Sequence, residues 1–184
     1  KKDDLFTWVC IGEPAHVKGL DILLHAFAAL TERMKEVPMR LVLIDRIPEQ
    51  ESLVKLAIEL GINERLTWTG LISQEEIAWI LRSSHALVSA SRVETFGKVI
   101  IEAQACGLPV AATKTDGAEY IITHAQQGEL ATPGSPESLM AAMGKLYVSY
   151  AKYDATGIHA LTEKRFGRKS VMRQWIQLYQ SIVS

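Results

Sequence analysis

Short apolar runs rich in β-branched residues alternate with amphipathic helical patterns along most of the chain, and this alternation restricts the fold more than any other feature. Phe6–Ile11 reads as a strand, and behind it Leu20, Leu23, Leu24, Phe27, Leu30 and Met34 recur at helical spacing. Further strands are predicted over Arg40–Ile44, Arg65–Thr69, His85–Ala90, Pro109–Ala112 and Gly128–Ala131. Helices are expected over Glu49–Leu60, after a capping box at Ser73–Glu76, over Thr95–Cys106 and over Ala118–His124. Ser135 caps another, with Pro136 at its first position. Strands separated by helices imply an α/β, Rossmann-like parallel sheet with helices on both faces, which binds ligands outside the carboxyl ends of its strands.

After Tyr150 the alternation stops. Residues 152–184 read as a helical tail with Val171, Trp175, Leu178 and Ile182 on one face, packing on something. The chain shows no internal repeat or linker, so residues 1–184 are expected to form a single domain. Its 184 residues, 48% of them hydrophobic, suffice for a real core.

Charge and cysteine usage narrow the function. Lys and Arg (20) nearly cancel Asp and Glu (21) without forming a basic stripe, so nucleic acid is not the expected partner and small molecules are. Cys10 and Cys106 sit in apolar segments and read as reduced thiols in a cytoplasmic setting. No run approaches the ~18 apolar residues of a membrane span, so any membrane contact must be peripheral, at the inner face. The five histidines (His16, His25, His85, His124, His159) lack metal-ligand spacing and read as structural. Ser91, Ser135 and Ser138 have no nucleophile-elbow context, and no GxGxxG follows the first strand, which argues against hydrolase and nicotinamide chemistry. The four tryptophans suit core or interface packing better than a stacking platform.

The segment from Ser91 to Val110 carries the chemistry. Glu94 falls where a strand ends, Gly97 permits close backbone approach, and the following helix offers free N–H groups to an anion. If that helix starts near Phe96, Glu102 lies roughly two turns inside it, on the order of 10 Å from Glu94. That separation suits the two ends of a nucleotide sugar with the diphosphate between them. A plainer reading is available: Glu94 caps the helix, and Glu102 pairs with Lys98 one turn earlier. Lys98 fits that reading poorly, because a first-turn lysine opposes the helix dipole and Lys before Glu is the weaker order for an ion pair.

Glu94-x7-Glu102 followed by Ala103-Gln104-Ala105-Cys106-Gly107-Leu108-Pro109-Val110 resembles the signature of the GT-B, family 4 (group 1) glycosyltransferases. Val17-Lys18-Gly19-Leu20-Asp21 is similar to the family's Lys-Gly segment, and the likeness continues through Thr113–Glu119 and Pro133-Gly134-Ser135-Pro136-Glu137. The resemblance implies the C-terminal, donor-binding half of a retaining transferase that moves a hexose-type sugar from a nucleoside-diphosphate sugar to a glycan or lipid-linked acceptor. It assigns Glu94 the catalytic position; Glu94 and the backbone of Thr95, Phe96 and Gly97 would hold the donor sugar. Lys18 would bind the diphosphate, Glu102 the ribose, and the loop at Leu71 and Ile72 the base. The scheme needs no cofactor or metal beyond the donor. The last helix would cross to an N-terminal acceptor domain of the same polypeptide, and without that half no sugar transfer is expected.

Three positions depart from the family pattern. Gly12-Glu13 stands where an Arg usually follows the glycine, Asp45-Arg46-Ile47-Pro48 replaces glycines before the proline, and Lys98 replaces an apolar residue. A carboxylate about 5 Å from a phosphate costs roughly 3 kcal/mol at an effective dielectric near 20. The expectation is that Lys98 or Arg46 partly replaces the Arg, while Glu13 turns away or contacts a donor or acceptor hydroxyl. The alternatives are a non-catalytic sugar-nucleotide-binding or interaction module of the same fold, or another GT-B enzyme such as a sugar-nucleotide epimerase.

Overall fold

The structure, a computed structural model, describes residues 5–12, 16–44 and 50–183. Its strands are β1 (Phe6–Ile11), β2 (Met39–Ile44), β3 (Leu66–Trp68), β4 (Ala86–Ser89), β5 (Val110–Thr113) and β6 (Gly128–Ala131). They form one sheet in the order β3-β2-β1-β4-β5-β6. All five pairings are parallel, so every connection is a crossover. Helices α1 (Leu20–Arg33), α2 (Gln50–Glu59), α3 (Gln74–Ser83), α4 (Lys98–Ala105) and α5 (Asp116–Ile121) supply the crossovers, and α6 (Pro136–Val148) follows β6.

Alternate residues of each strand feed two cores. On one face Phe6, Trp8 and Cys10 of β1 pack with Leu23, Phe27 and Leu30 of α1 and with Leu139 and Met143 of α6. On the other, Val9, Val42, Leu87 and Val110 pack with Leu81 of α3, Ile100 of α4 and Ile121 of α5. Burial on both faces explains why the strands read as near-continuous apolar runs. His85 belongs to this packing: its Nδ1 accepts the Thr7 N–H at 3.1 Å and its ring stacks on Phe6 at 4.8 Å.

From β1 and β4, neighbours at the centre of the sheet, the strand order runs outward in opposite directions. The crevice between their exits is the topological switch point, where a ligand reaches the sheet most readily.

The structure corrects the sequence reading at the start of α4. The helix expected from Thr95 begins at Lys98, because Gly97 has φ 80° and Thr95 and Phe96 belong to a turn. The helical tail expected over residues 152–184 is present as two helices, α7 (Ala155–Phe166) and α8 (Arg168–Val183). Asp154 caps α7 by accepting the Thr156 N–H at 3.0 Å. Ile158 and Thr162 are the fully buried residues of α7. The apolar side of α8, with Trp175 at 51% and Ile182 at 71% exposure, is open. Among the described residues no helix is long and apolar enough to cross a membrane.

Candidate functional site

Lys18 closes a 3-10 turn (His16–Lys18) after β1, and Glu94 lies in the loop after β4, so the two flank the switch point. Lys18 Nζ donates to Glu94 Oε2 at 2.6 Å, with the side chains 28% and 15% exposed. The other carboxylate oxygen accepts the N–H groups of Gly97 (3.1 Å) and Phe96 (3.4 Å). Burial pushes the Glu94 pKa up, but Lys18 and those N–H groups outweigh it and hold the carboxyl below its ordinary value. Glu94 thus closes the turn before α4 and faces a cation. The Lys18 stem packs along Gly12, 3.5 Å from where a Cβ would stand.

Both loops are fastened from outside. Gly19 takes φ 61°, and a side chain there would collide with the Ala90 carbonyl oxygen. The Arg92 N–H donates to Val17 O at 2.7 Å, and its Nη1 donates to His16 O at 2.7 Å. The same guanidinium grips both carboxylate oxygens of Asp21, at 2.9 and 2.7 Å. Hydrogen bonding to Arg92 holds the Asp21 carboxyl below its ordinary value, and the pairing raises the Arg92 pKa in turn. On the other loop, the Gly117 N–H at the start of α5 donates to Glu94 O at 3.0 Å. A Cβ on Gly117 would stand 2.7 Å from the Phe96 carbonyl carbon, so α5 is pressed against the turn.

The later start of α4 also revises the position of Glu102. It is the fifth residue of the helix, just over one turn in, about 6 Å along the axis from Lys98 at ~1.5 Å per residue. The helical rise applies only from Lys98 onward, since 94–97 precedes the helix. Glu102 is exposed, yet the protein around its carboxyl raises its pKa, opposed by the charge of Lys98. Thr95, Phe96 and Lys98 are exposed, and α4 begins at this loop, its N-terminal end an arrangement that suits an anion. Leu71, 72% exposed, and half-buried Ile72 lie in the loop after β3. Glu13 and Arg46 lie outside the described residues.

Sequence reasoning missed Arg92, Asp21 and Gly117 as builders of the site. Arg92 stands beside Glu94 in the chain, which was the available signal. Its partner is 71 positions away and only the fold joins them.

A doubly wound parallel sheet with a cation and a carboxylate facing each other at its switch point defines a Rossmann-like ligand-binding domain. Residues 1–160 match the family model for glycosyl transferases group 1, and the chain belongs to that family, with the Rossmann-like architecture of GT-B glycosyltransferases.

Among curated relatives, the D-inositol 3-phosphate glycosyltransferase of Corynebacterium urealyticum is 28% identical over 183 residues, covering 94% of this chain and 42% of its own length. The mannosylfructose-phosphate synthase of Agrobacterium fabrum is 28% identical over 160 residues, covering 82% and 35% respectively. The crystal structure of Anabaena Alr3699/HepE in complex with UDP aligns with a TM-score of 0.84 at 25% identity, covering 97% of this chain and 49% of that one. The same protein in complex with UDP-glucose aligns at 0.82 and 25%, covering 96% and 49%. The chain therefore spans less than half the length of these relatives.

Proposed function

We propose that this chain is the donor-binding half of a retaining glycosyltransferase that takes a hexose-type sugar from a nucleoside-diphosphate sugar and passes it to a glycan or lipid-linked acceptor. The observation that carries the reading is the Lys18–Glu94 pair at the switch point, beside the N-terminus of α4. The Anabaena complexes with UDP and UDP-glucose support a nucleotide sugar as the ligand.

Lys18 is neutralised by Glu94. A diphosphate entering the crevice competes for Lys18 and leaves Glu94 held by the N–H groups of Phe96 and Gly97, ready to accept from donor-sugar hydroxyls. As the glycosidic bond breaks, negative charge grows on the diphosphate, where Lys18 and the α4 N-terminus stabilise it. Glu102 accepts from the ribose, and the loop at Leu71 and Ile72 lies against the base. The acceptor site belongs to the additional length found in the relatives, and the 184 residues alone transfer no sugar.

Calorimetric titration of UDP, GDP and ADP tests the reading. Micromolar binding of one nucleotide, abolished by Glu102→Ala, is expected. No binding to any of the three favours the second reading, a module that has lost donor binding, which the carboxylate at Glu13 motivates.

A further inference from the structure

Helix α7 runs against α4 from the far end of that helix to the turn that precedes it. At the far end Gly107, with φ 80°, abuts Ala155, whose carbonyl oxygen would stand 2.9 Å from an added Cβ. One turn on, His159 Nδ1 donates to Ala105 O at 2.7 Å. Next, Thr162 Oγ1, which donates to Ile158 O at 2.8 Å, also lies 3.3 Å from Gln104 Oε1, and the fully buried Gln104 amide is tied in turn to Gln127. At the near end the Phe166 ring meets Phe96 edge-on at 6.3 Å and Tyr120 at 6.0 Å. Arg165 covers this aromatic group, with its guanidinium 4.8 Å from the Phe166 ring and 5.2 Å from Tyr120. It also donates to the carbonyl oxygens of Ile121 and Tyr120 where α5 ends. Residues 155, 159, 162 and 166 fall on one helical face, and each meets a successive point along α4 and its preceding turn.

We infer that Phe166, clamped by Arg165, is a positioning residue for the donor loop: it presses on Phe96 and so fixes the turn in which the Phe96 and Gly97 N–H groups address Glu94. The inference rests on the donor reading above for its functional consequence, though not for the packing itself. Phe96 is 47% exposed, and its backbone is held by Gly117 on one side. Without Phe166 its ring has lost the aromatic neighbour on the α7 side. The residue acts without touching the donor, and it lies beyond the stretch 1–160 that matches the family model.

Amide hydrogen exchange on the full 184-residue chain, compared for the parent, Phe166→Ala and Phe166→Tyr, tests the positioning. In Phe166→Ala, exchange at Phe96 and Gly97 is expected to accelerate about tenfold or more while strand amides keep their protection, and Phe166→Tyr is expected to restore the parent rates. Affinity for UDP-glucose should fall about five- to tenfold in Phe166→Ala, with a smaller fall for UDP, because the sugar depends on the loop more than the nucleotide does. Unchanged exchange at Phe96 and Gly97, or acceleration spread evenly over the whole chain, overturns the positioning role. A parent chain that binds neither ligand overturns the donor reading alone, and the exchange comparison still decides what Phe166 does.

Discussion

Lys18 Nζ and Glu94 Oε2 stand 2.6 Å apart, so a cation from the loop after β1 and a carboxylate from the loop after β4 neutralise each other across the switch point. Lys18→Met leaves Glu94 partly desolvated with only two N–H donors. A loss of about 1–2 kcal/mol in unfolding free energy at neutral pH is expected. Glu94 is depressed in the folded chain, so its contribution is present above its unfolded pKa and is lost as pH falls through the folded value. Urea titrations from about pH 5 to about pH 3 should therefore show a shallower acid loss in Lys18→Met than in the parent. An identical pH slope would contradict the pairing.

The Arg92–Asp21 clamp holds the Lys18 turn, and Arg92→Met should loosen it. Asp21 is about half exposed, so the stability cost is on the order of 0.5–1 kcal/mol. Nucleotide affinity should fall further than that cost alone dictates, because Lys18 is no longer aimed. Parallel calorimetry and thermal melts check the split; equal affinity in parent and variant would remove Arg92 from the site.

Gly117 packs against the Phe96 backbone with no room for a methyl group. Gly117→Ala must push the donor loop or α5 aside, at a cost on the order of 1–3 kcal/mol. Amide chemical shifts should move at Phe96 and Gly97 and stay fixed in β1 and β2. A wild-type melting temperature would show that the contact yields easily.

Glu102 is raised by the protein around it, so its ionised form costs stability at neutral pH, and that cost disappears as pH falls through the folded pKa. Glu102→Gln should melt at or above the parent temperature. It should also bind nucleotide about tenfold or more weakly, through loss of a charge-assisted hydrogen bond. Stability and affinity moving in opposite directions is the mark of a side chain kept for a ligand. A variant that loses stability would make Glu102 structural instead.

How much was legible in the sequence follows from the range of each signal. The ends of β1 and β6, the capping box at Ser73 and Glu76 and the Ser135 cap arise from residues close in the chain, and the structure places them where the local pattern put them. The alternation of strand and helix likewise determined the parallel sheet, since parallel strands need covered crossovers. Local pattern failed at Gly97, where a left-handed residue delays a helix whose apolar spacing continues upstream. The meeting of Lys18 with Glu94, of Arg92 with Asp21 and of Phe96 with Phe166 was decided by tertiary structure alone. Each joins positions 70 or more apart, and only the strand order that sets β1 beside β4, and the packing of α7 on α4, brings them within reach.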